Sequence, residues 1–345
     1  MKIAVYTIAL NEIHEVDGWA AANQEADHRV VVDTGSTDGT ADALREKGVT
    51  VFDAAIIPWR FDDAFNTALA LVPRDVDVCF RLDMDERPRP GWRQAIETEF
   101  DETATLLRYP YYWSRQISFY CDRIHRRRGY RWKGPTHEGL VWRGEGHEHH
   151  KFIETVTVDH FQKPRTRPND MALLREACRE YPDDSRLLLY FARELAWHKQ
   201  DDEAQAALRR FQQLSNYPND LAYSYRLLAG VDRANQLAHL ETAKRFDPNA
   251  SADLELATYW YEQDWPLCYQ HITECLNKLQ EIGNWTDDLR LKTAYPYDIA
   301  CIAAWNMGEI GAAHRYAQEA AKRNPEDQRL ATNVLLLQHA VSQLE

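Results

Sequence analysis

Carboxylates follow two short apolar segments of this chain, and the two sets lie fifty residues apart. Asp33 follows the apolar residues 30–32, and Asp83 and Asp85 follow residues 76–82. In a parallel α/β sheet, ligands bind at the carboxyl ends of the strands. Two carboxylates at positions i and i+2 after a strand can converge on one hard cation through their oxygens. The sequence therefore predicts one site that handles a cation, a nucleotide or both.

The residues after Asp33 are typical of a tight turn from a strand into a helix. Gly35 permits the turn, and Ser36 or Thr37 is expected to cap the helix. Asp38 adds negative charge to the first turn of that helix. A well-capped turn with no binding role would explain residues 35–38, but it would not require a carboxylate at position 33. Asp33 is therefore a candidate ligand-binding residue.

Strand patterns alternate with helix patterns over the first half of the chain. This β-α-β order predicts a mainly parallel, Rossmann-like sheet with right-handed crossovers. The predicted strands cover residues 3–10, 29–33, 49–53, 76–82, 103–112, 117–123 and 152–161. The predicted helices cover residues 12–25, 37–47, 61–72 and 90–100, with Asn11 as the N-cap of the first helix.

The strand patterns end near residues 164–168, and the remaining residues have the pattern of paired amphipathic helices. A weak internal repeat places an alanine five residues before a proline at 177 and 182, at 243 and 248, and at 320 and 325. Gly308, Ala313, Ala320 and Pro325 have the spacing of a tetratricopeptide repeat. We therefore predict an α/β domain over residues 1–165 and an all-α tetratricopeptide-like domain over residues 169–345. The alternative for the second part is an irregular helical domain.

The α/β part resembles the family-2 glycosyltransferases, which have the GT-A fold. The resemblance rests on an ordered set of residues: Asn11-Glu12, the turn after Asp33, Asn66, Asp83-x-Asp85, His137-Glu138 and His160. It implies a GT-A domain that transfers a sugar, with inversion, from a nucleotide-sugar donor, most simply a UDP-linked one. The implied activity is that of a metal-dependent hexosyltransferase.

The resemblance also implies roles for single residues. Asp33 would accept a hydrogen bond from the nucleotide base, and Asp85 would contact the divalent metal, Mn²⁺ or Mg²⁺, more directly than Asp83. His160 would complete the metal shell, although a buried core histidine is the alternative. The further donor-binding candidates are Thr7, Ala9, Asn11, Glu12, Asn66, Arg81 and Asp83. For Glu12, a place in the first turn of a helix is the alternative.

Acceptor activation is assigned to Glu138, which follows His137 about fifty residues after the metal motif. A carboxylate within hydrogen-bonding reach of an acceptor hydroxyl can take its proton as attack proceeds. His137 is the second candidate base, because the pKa of an unperturbed histidine lies near neutrality. Packing of His137 and turn capping by Glu138 are the structural alternative. Phe65 stands where the family commonly has an arginine, so a phosphate contact is either missing or supplied elsewhere.

Composition excludes several classes of function. The chain has 345 residues and a formal net charge of −13, which argues against general affinity for nucleic acid. A local basic groove is predicted from Arg123, His125, Arg126, Arg127, Arg128, Arg131 and Lys133. The six cysteines contain no Cys-x-x-Cys pair and are expected to be reduced core residues. No apolar run is long enough to span a membrane. Met1-Lys2 leads straight into the first predicted strand, so we expect no signal peptide and a cytoplasmic location.

The acceptor cannot be read from the sequence, and a peptide or protein, a glycan and a modified DNA base stay open. Helical repeats offer surfaces for extended partners, so they are expected to bind a protein or to mediate self-association. The alternative function is a non-catalytic nucleotide-binding scaffold that recruits partners through its helical repeats. A nucleotidyltransferase is disfavoured because residues 8–12 contain no glycine-rich, lysine-bearing phosphate loop.

Overall fold

The computed structural model describes residues 1–113, 118–161, 170–246, 250–279 and 285–343. The chain divides into two compact units, Met1–Pro182 and Asp183–Glu345. The predicted domain limits at residues 165 and 169 fall outside the described residues, as do the change of pattern at 164–168 and Pro248 of the predicted repeat. The first unit continues past these limits through the helix Met171–Glu180.

The first unit is built on a nine-stranded mixed sheet, within the described residues. Its order is β3-β2-β1-β4-β7-β6-β11-β5, with β10 paired to β6, and β8 and β9 form a separate hairpin. β1, β2, β3 and β4 run parallel, whereas β7 is antiparallel to both β4 and β6. The strands are β1 Ile3–Ala9, β2 His28–Asp33, β3 Thr50–Asp53, β4 Val78–Arg81, β5 Glu86–Pro88, β6 Leu106–Tyr112, β7 Ser118–Arg126, β8 Tyr130–Lys133, β9 Gly139–Trp142, β10 His150–Phe152 and β11 Val158–His160.

Helices cover the sheet on both faces. They are α1 Val16–Ala22, α2 Thr40–Glu46, α3 Phe61–Leu71 and α4 Trp92–Glu99. The helix α5 Met171–Glu180 belongs to the same unit. Phe80 packs with Trp19 and Trp92 in one core, whereas its neighbour Cys79 packs with Phe65 in the other. Burial on both faces explains why the central strands are almost continuously apolar. Arg81 follows Phe80, so strand alternation places its side chain on the α3 face with Cys79.

The second unit is entirely helical over its described residues. The helices are α6 Ser185–Trp197, α7 Asp201–Leu214, α8 Pro218–Val231, α9 Gln236–Phe246, α10 Ser251–Trp260, α11 Trp265–Asn277, α12 Tyr295–Asn306, α13 Ile310–Arg323 and α14 Gln328–Ser342. Successive helices pack as pairs, and the first helices of neighbouring pairs, α6, α8, α10 and α12, also contact one another. Buried alanines such as Ala243, Ala257 and Ala313 permit this close approach. The predicted fold class is confirmed: a mainly parallel α/β sheet followed by an all-α region of paired helices.

Several predicted element boundaries were wrong, and the reasons are local. Asn11 has a φ of 55° and does not cap a helix, and α1 begins only at Val16. α2 begins at Thr40 after Gly39, whose φ is 91°, so neither Ser36 nor Thr37 is its cap. The predicted strand over 152–161 is two strands, β10 and β11, and residue 117 of the strand predicted over 117–123 lies outside the described residues.

All six cysteines are free, and five of them are buried. This agrees with the prediction of reduced core residues. Within the described residues, no helix has both the length and the hydropathy that a membrane crossing would require.

Candidate active site

The candidate residues gather where β1, β2 and β4 end at one edge of the sheet. Ala9, the last residue of β1, pairs with Asp33, the last residue of β2. β4 ends at Arg81, and the turn that carries Asp83 and Asp85 follows it. β11 returns to this turn because His160 pairs with Glu86 of β5. The sheet thus places Asp33 and His160, which are 127 positions apart in the sequence, at the same end of its strands.

The two carboxylate oxygens of Asp33 differ in their surroundings. Oδ1 accepts hydrogen bonds from the backbone N–H groups of Gly35, at 3.0 Å, and Ser36, at 2.8 Å. Oδ2 is buried and has no hydrogen-bond partner among the described residues. Only 3% of Asp33 is exposed. A buried acceptor without a partner costs free energy, so Oδ2 is available to a ligand donor.

The loop after β1 is tied to the turn after β2. The backbone N–H of Asn11 donates to Ser36 Oγ at 2.8 Å, and Asn11 Oδ1 accepts from the backbone N–H of Thr37 at 2.8 Å. The backbone N–H of Glu12 donates to Thr40 Oγ1 at 2.8 Å. The side-chain oxygen of Asn11 therefore joins two loops at the rim of the site.

The end of β1 supplies framework rather than exposed side chains. Thr7 is fully buried, and its Oγ1 lies 3.4 Å from the carbonyl oxygen of Ile8. The carbonyl oxygen of Ala9 accepts from both the backbone N–H and the hydroxyl of Thr34, at 2.9 and 3.0 Å. Ala9 pairs with Asp33, whereas Thr7 pairs with Val31, and the part of both candidates in donor binding stays a prediction.

Asp85 and His160 form a pair of possible metal ligands at this end of the sheet. His160 Nε2 lies 3.3 Å from Asp85 Oδ2. Burial alone would lower the pKa of His160, but the hydrogen bond and charge of Asp85 outweigh it and raise the pKa above its ordinary value. The rings of Tyr111 and Trp113 lie 6.1 and 6.0 Å from the His160 ring, centroid to centroid. A carboxylate and an imidazole that converge in this way fit a manganese-like ion.

Glu86 is a third carboxylate of this turn, and no role for it was predicted from the sequence. Its side chain is 2% exposed. It accepts hydrogen bonds from the backbone N–H of Asp83 at 2.8 Å, from Tyr111 Oη at 2.7 Å and from Arg123 Nη1 at 2.6 Å. Burial alone would raise the pKa of Glu86, but these partners and the charge of Arg81 hold it below its ordinary value. Glu86 therefore fixes the backbone of the turn that presents Asp83.

Arg81 connects the metal motif to Glu138. Its Nη2 donates to Asp83 Oδ1 at 2.8 Å, and its Nη1 lies 3.1 Å from Glu138 Oε1. The Arg81 side chain is 5% exposed, and its guanidinium carbon lies 3.7 Å from the centroid of the Phe65 ring. Burial raises the pKa of Asp83 to about 6; Arg81 opposes this shift, and nearby Glu86 adds to it.

Glu138 is presented by an unusual turn after β8. Gly134 and His137 have positive φ angles of 109° and 48°, and such a φ is uncommon for a residue other than glycine. Asp62 Oδ2 accepts from the backbone N–H of Gly134 at 3.0 Å, which fixes the turn to the start of α3. Glu138 and His137 are both partly buried.

Asn66 holds β8 against α3. Its Nδ2 donates to the carbonyl oxygen of Trp132, and its Oδ1 accepts from the backbone N–H of Trp132, both at 2.9 Å. The amide group is thus used to position the strand that leads to Glu138. Asn66 was a donor-binding candidate in the sequence, and the structure gives both Asn66 and Asp62 a contact within this framework.

The predicted basic groove over residues 123–133 is not formed by its central members. Arg123 contacts buried Glu86, and His125 is fully buried. Arg126 and Arg127 donate to backbone carbonyl oxygens, which are those of Ala104, Glu102, Val72 and Ala70. The prediction was wrong for these four residues, three of which lie in β7, where alternation sends neighbouring side chains to opposite faces.

A second group of possible metal ligands lies in the helical unit. Ligand atoms of Asp253, His271 and Glu274 all lie within 4.8 Å of one another. Lys244 Nζ sits among them, 3.0 Å from Asp253 Oδ1 and 3.2 Å from His271 Nδ1, and also pairs with Glu274. Lys278 Nζ contacts the other oxygen of Asp253 at 2.6 Å. These ammonium groups make the cluster an ionic contact among α9, α10 and α11.

No family model matches the chain, and no curated protein matches it. Among solved structures, it is similar to glucosyl-3-phosphoglycerate synthase from Mycobacterium tuberculosis in complex with Mn²⁺, UDP and glucosyl-3-phosphoglycerate, at 22% identity and a TM-score of 0.29. That match covers 34% of this chain, and the chain spans less than half, 46%, of the synthase.

The chain is also similar to two helical proteins. One is YrrB, a TPR protein with an unusual peptide-binding site. The match covers 49% of this chain and 84% of the YrrB chain, at 14% identity and a TM-score of 0.38. The other is MamA, where the match covers 45% of this chain and 81% of the MamA chain, at 13% identity and a TM-score of 0.34. At these TM-scores, the matches say nothing about what this chain binds.

Proposed function

We propose that the chain is a metal-dependent inverting glycosyltransferase that takes a sugar from a UDP-linked donor. One observation carries the proposal. Asp33, whose Oδ2 has no partner among the described residues, the Asp85–His160 pair and Glu138, which contacts Arg81, come from distant parts of the sequence and lie at the end of the sheet where β1, β2, β4 and β11 finish. A base contact, metal ligands and a general base are the three parts that this reaction needs.

The donor nucleotide would lie at the ends of β1 and β2. Asp33 Oδ2 would accept a hydrogen bond from an N–H group of the base, because Oδ1 is already occupied by the turn. The Asn11–Glu12 loop would border the same pocket. A uracil ring carries an N–H group next to two carbonyl oxygens, which is why a UDP-linked donor is the first choice.

The charges at the site favour a divalent cation, Mn²⁺ or Mg²⁺. Asp83, Asp85, Glu86 and Glu138 supply four carboxylates, whereas Arg81 and Arg123 supply two guanidinium groups. Asp85 and His160 would hold the ion together with Asp83. The ion would neutralise the developing charge of the nucleoside diphosphate that departs.

Glu138 would accept the proton of the acceptor nucleophile while that nucleophile attacks the anomeric carbon. The bond to the diphosphate breaks in the same displacement, so the configuration at that carbon inverts. His137 is the second candidate for this role. A product with retained configuration would contradict the single displacement.

The experiment that tests the proposal is donor hydrolysis with a panel of nucleotide sugars, with and without Mn²⁺. We expect slow Mn²⁺-dependent hydrolysis of one donor by the wild type and a loss of this activity in Asp85→Ala. Asp75→Asn is the matched control, because Asp75 is exposed and pairs with Lys2 at the opposite end of the sheet. No hydrolysis of any donor would contradict the enzyme, and retained UDP binding would then favour a nucleotide-binding scaffold.

The acceptor is a hydroxyl or another nucleophile on a peptide or protein, a glycan or a modified DNA base. We propose that the helical unit binds a protein partner or mediates self-association, as the packing of its paired helices suggests. A cytoplasmic location stays a prediction.

A further inference from the structure

We infer that Arg81 is a positioning residue that holds the candidate base Glu138 and the first carboxylate of the metal motif in one fixed arrangement. The inference rests on the proposed function and concerns how acceptor activation depends on the donor site. The sequence pattern does not assign this role to an arginine in β4.

The position of the Arg81 guanidinium is strongly restricted. Its carbon lies 3.7 Å from the centroid of Phe65 in α3 and 5.0 Å from that of Trp132 in β8. Trp132 is itself anchored by Asn66, which pairs with both of its backbone groups. With 5% of its side chain exposed, Arg81 does not lie at the surface of the site. It therefore acts from beneath the carboxylates and is not placed to take up donor phosphates from solvent.

The planar guanidinium of Arg81 contacts two carboxylates, one through each terminal nitrogen. Nη2 contacts both oxygens of Asp83, at 2.8 and 3.0 Å, and Nη1 contacts Glu138 Oε1 at 3.1 Å. Nε is buried and has no hydrogen-bond partner among the described residues. A lysine ammonium is a compact point charge that lacks this fixed fork, so it cannot reproduce both contacts.

Glu138 depends on this contact for its orientation. It follows a turn with positive φ at His137, and its Oε1 is fixed by Arg81. Misplacing a catalytic group by about 1 Å can cost about 10²-fold in rate. Loss of Arg81 is therefore expected to impair turnover through Glu138, while the Asp85–His160 pair is left in place.

The test uses the full chain and a double-mutant cycle on Mn²⁺-dependent donor hydrolysis, in which water takes the place of the acceptor. We expect Glu138→Gln to lower turnover by about 10²-fold or more and Arg81→Met to lower it by about 10²-fold. The double variant should be slower than Glu138→Gln alone by much less than the product of the two single losses, because both changes remove the fixed position of Glu138. Losses that multiply would overturn the inference, and so would wild-type turnover in Arg81→Lys.

UDP binding and a control variant separate a positioning role of Arg81 from a general loss of folding. In Arg81→Lys, the affinity for UDP with Mn²⁺ should change much less than the turnover. If Arg81→Met does not fold, Arg81→Gln takes its place. Arg45→Met is the control for loss of an arginine. Arg45 is exposed, and its guanidinium pairs with Asp42 and Asp53, away from the candidate site. A wild type without hydrolysis would overturn the proposed function and this inference together. An active wild type with additive losses would overturn this inference alone.

Discussion

His125 lies at the centre of a chain of hydrogen bonds that joins three strands. Trp132 Nε1 in β8 donates to Tyr6 Oη in β1 at 2.8 Å, and Tyr6 Oη lies 2.9 Å from His125 Nε2 in β7. His125 Nδ1 lies 2.7 Å from the carbonyl oxygen of Arg126. Because a carbonyl only accepts, Nδ1 carries the proton and Nε2 accepts from Tyr6. The neutral ring satisfies every group in the chain.

Burial lowers the pKa of His125 to about 4. An unfolded histidine has a pKa of about 6.5, so the unfolded state gains the proton first as the pH falls. We therefore expect the free energy of unfolding to fall between about pH 6.5 and about pH 4, by about 3 kcal/mol from this group. Urea unfolding at several pH values should show a shallower decline in His125→Gln. His14→Gln, which changes an exposed histidine, should decline like the wild type, and an unchanged decline in His125→Gln would contradict the account.

The sequence could identify the residues whose place depends only on the strand that they directly follow. Asp33, Asp83 and Asp85 follow apolar strands, so their place at a sheet edge could be predicted. Glu86 was given no role and Arg81 only a role in donor binding, because the partners that they contact, such as Arg123 and Glu138, are distant in sequence. The sequence did mark Phe65 as a departure from the family, and the structure shows its ring beneath the Arg81 guanidinium.

At the scale of elements, the turn between β4 and β5 is held by Arg87. Its Nη1 donates to the carbonyl oxygens of Met84 at 2.6 Å and Glu86 at 2.9 Å, and its Nη2 contacts Glu15 Oε2 at 2.8 Å. The guanidinium passes closely over Gly18 of α1. A Cβ at position 18 would lie 2.7 Å from Arg87 Nη2, which is too close.

Gly18→Ala should therefore displace Arg87 and loosen the turn that carries Asp83 and Asp85. We expect a loss of about 1–3 kcal/mol in the free energy of unfolding and weaker Mn²⁺ binding in the presence of UDP. Chemical denaturation and a Mn²⁺ titration would measure the two effects. The matched control is Gly230→Ala in α8, where a Cβ meets nothing within 4 Å; it should gain about 0.5–1 kcal/mol. Equal effects of the two substitutions would contradict the role given to Arg87.

Long apolar strands and amphipathic helices were predictable, whereas short elements were not. β1, β2 and β4 were located by their apolar runs. β5, β8 and β9 have only three or four residues each and contain charged or aromatic side chains, so no periodicity marks them. Their positions are set by pairing across the chain, as for β5 with β11.

At the scale of the whole molecule, α5 belongs with the α/β unit. Arg60 Nη1 contacts Glu180 Oε2 at 2.7 Å, and Lys133 Nζ lies 4.3 Å from the centroid of the Tyr181 ring. Arg60 also pairs with Asp62, which fixes the turn before Glu138. We therefore propose that the first domain extends to residue 182.

A fragment of residues 1–182 should unfold at a higher temperature than one of residues 1–165, because the shorter fragment lacks the Glu180 and Tyr181 contacts. Every candidate site residue lies between Thr7 and His160, so the longer fragment should keep Mn²⁺-dependent UDP binding. Thermal unfolding with and without UDP and Mn²⁺ would measure both. Equal melting temperatures of the two fragments would restore the limit at residue 165.

The overall architecture was predictable because each half of the chain has one dominant period, strand–helix alternation first and paired helices later. The identity of partners was not, because it depends on surface side chains that follow no period. The contacts of Lys244 in the helical unit could not be predicted for the same reason. Its partners Asp253 and Glu274 are 21 positions apart, and helix packing brings them together.

The measurement that tests the central claim most directly is Mn²⁺ binding, followed by electron paramagnetic resonance, with and without UDP. The wild type and Asp75→Asn should bind Mn²⁺ more tightly when UDP is present, because the nucleotide and the ion share the edge formed by β1, β2 and β4. Asp85→Ala should lose this UDP-dependent binding. UDP-dependent binding of Mn²⁺ by Asp85→Ala at the wild-type affinity would contradict the account.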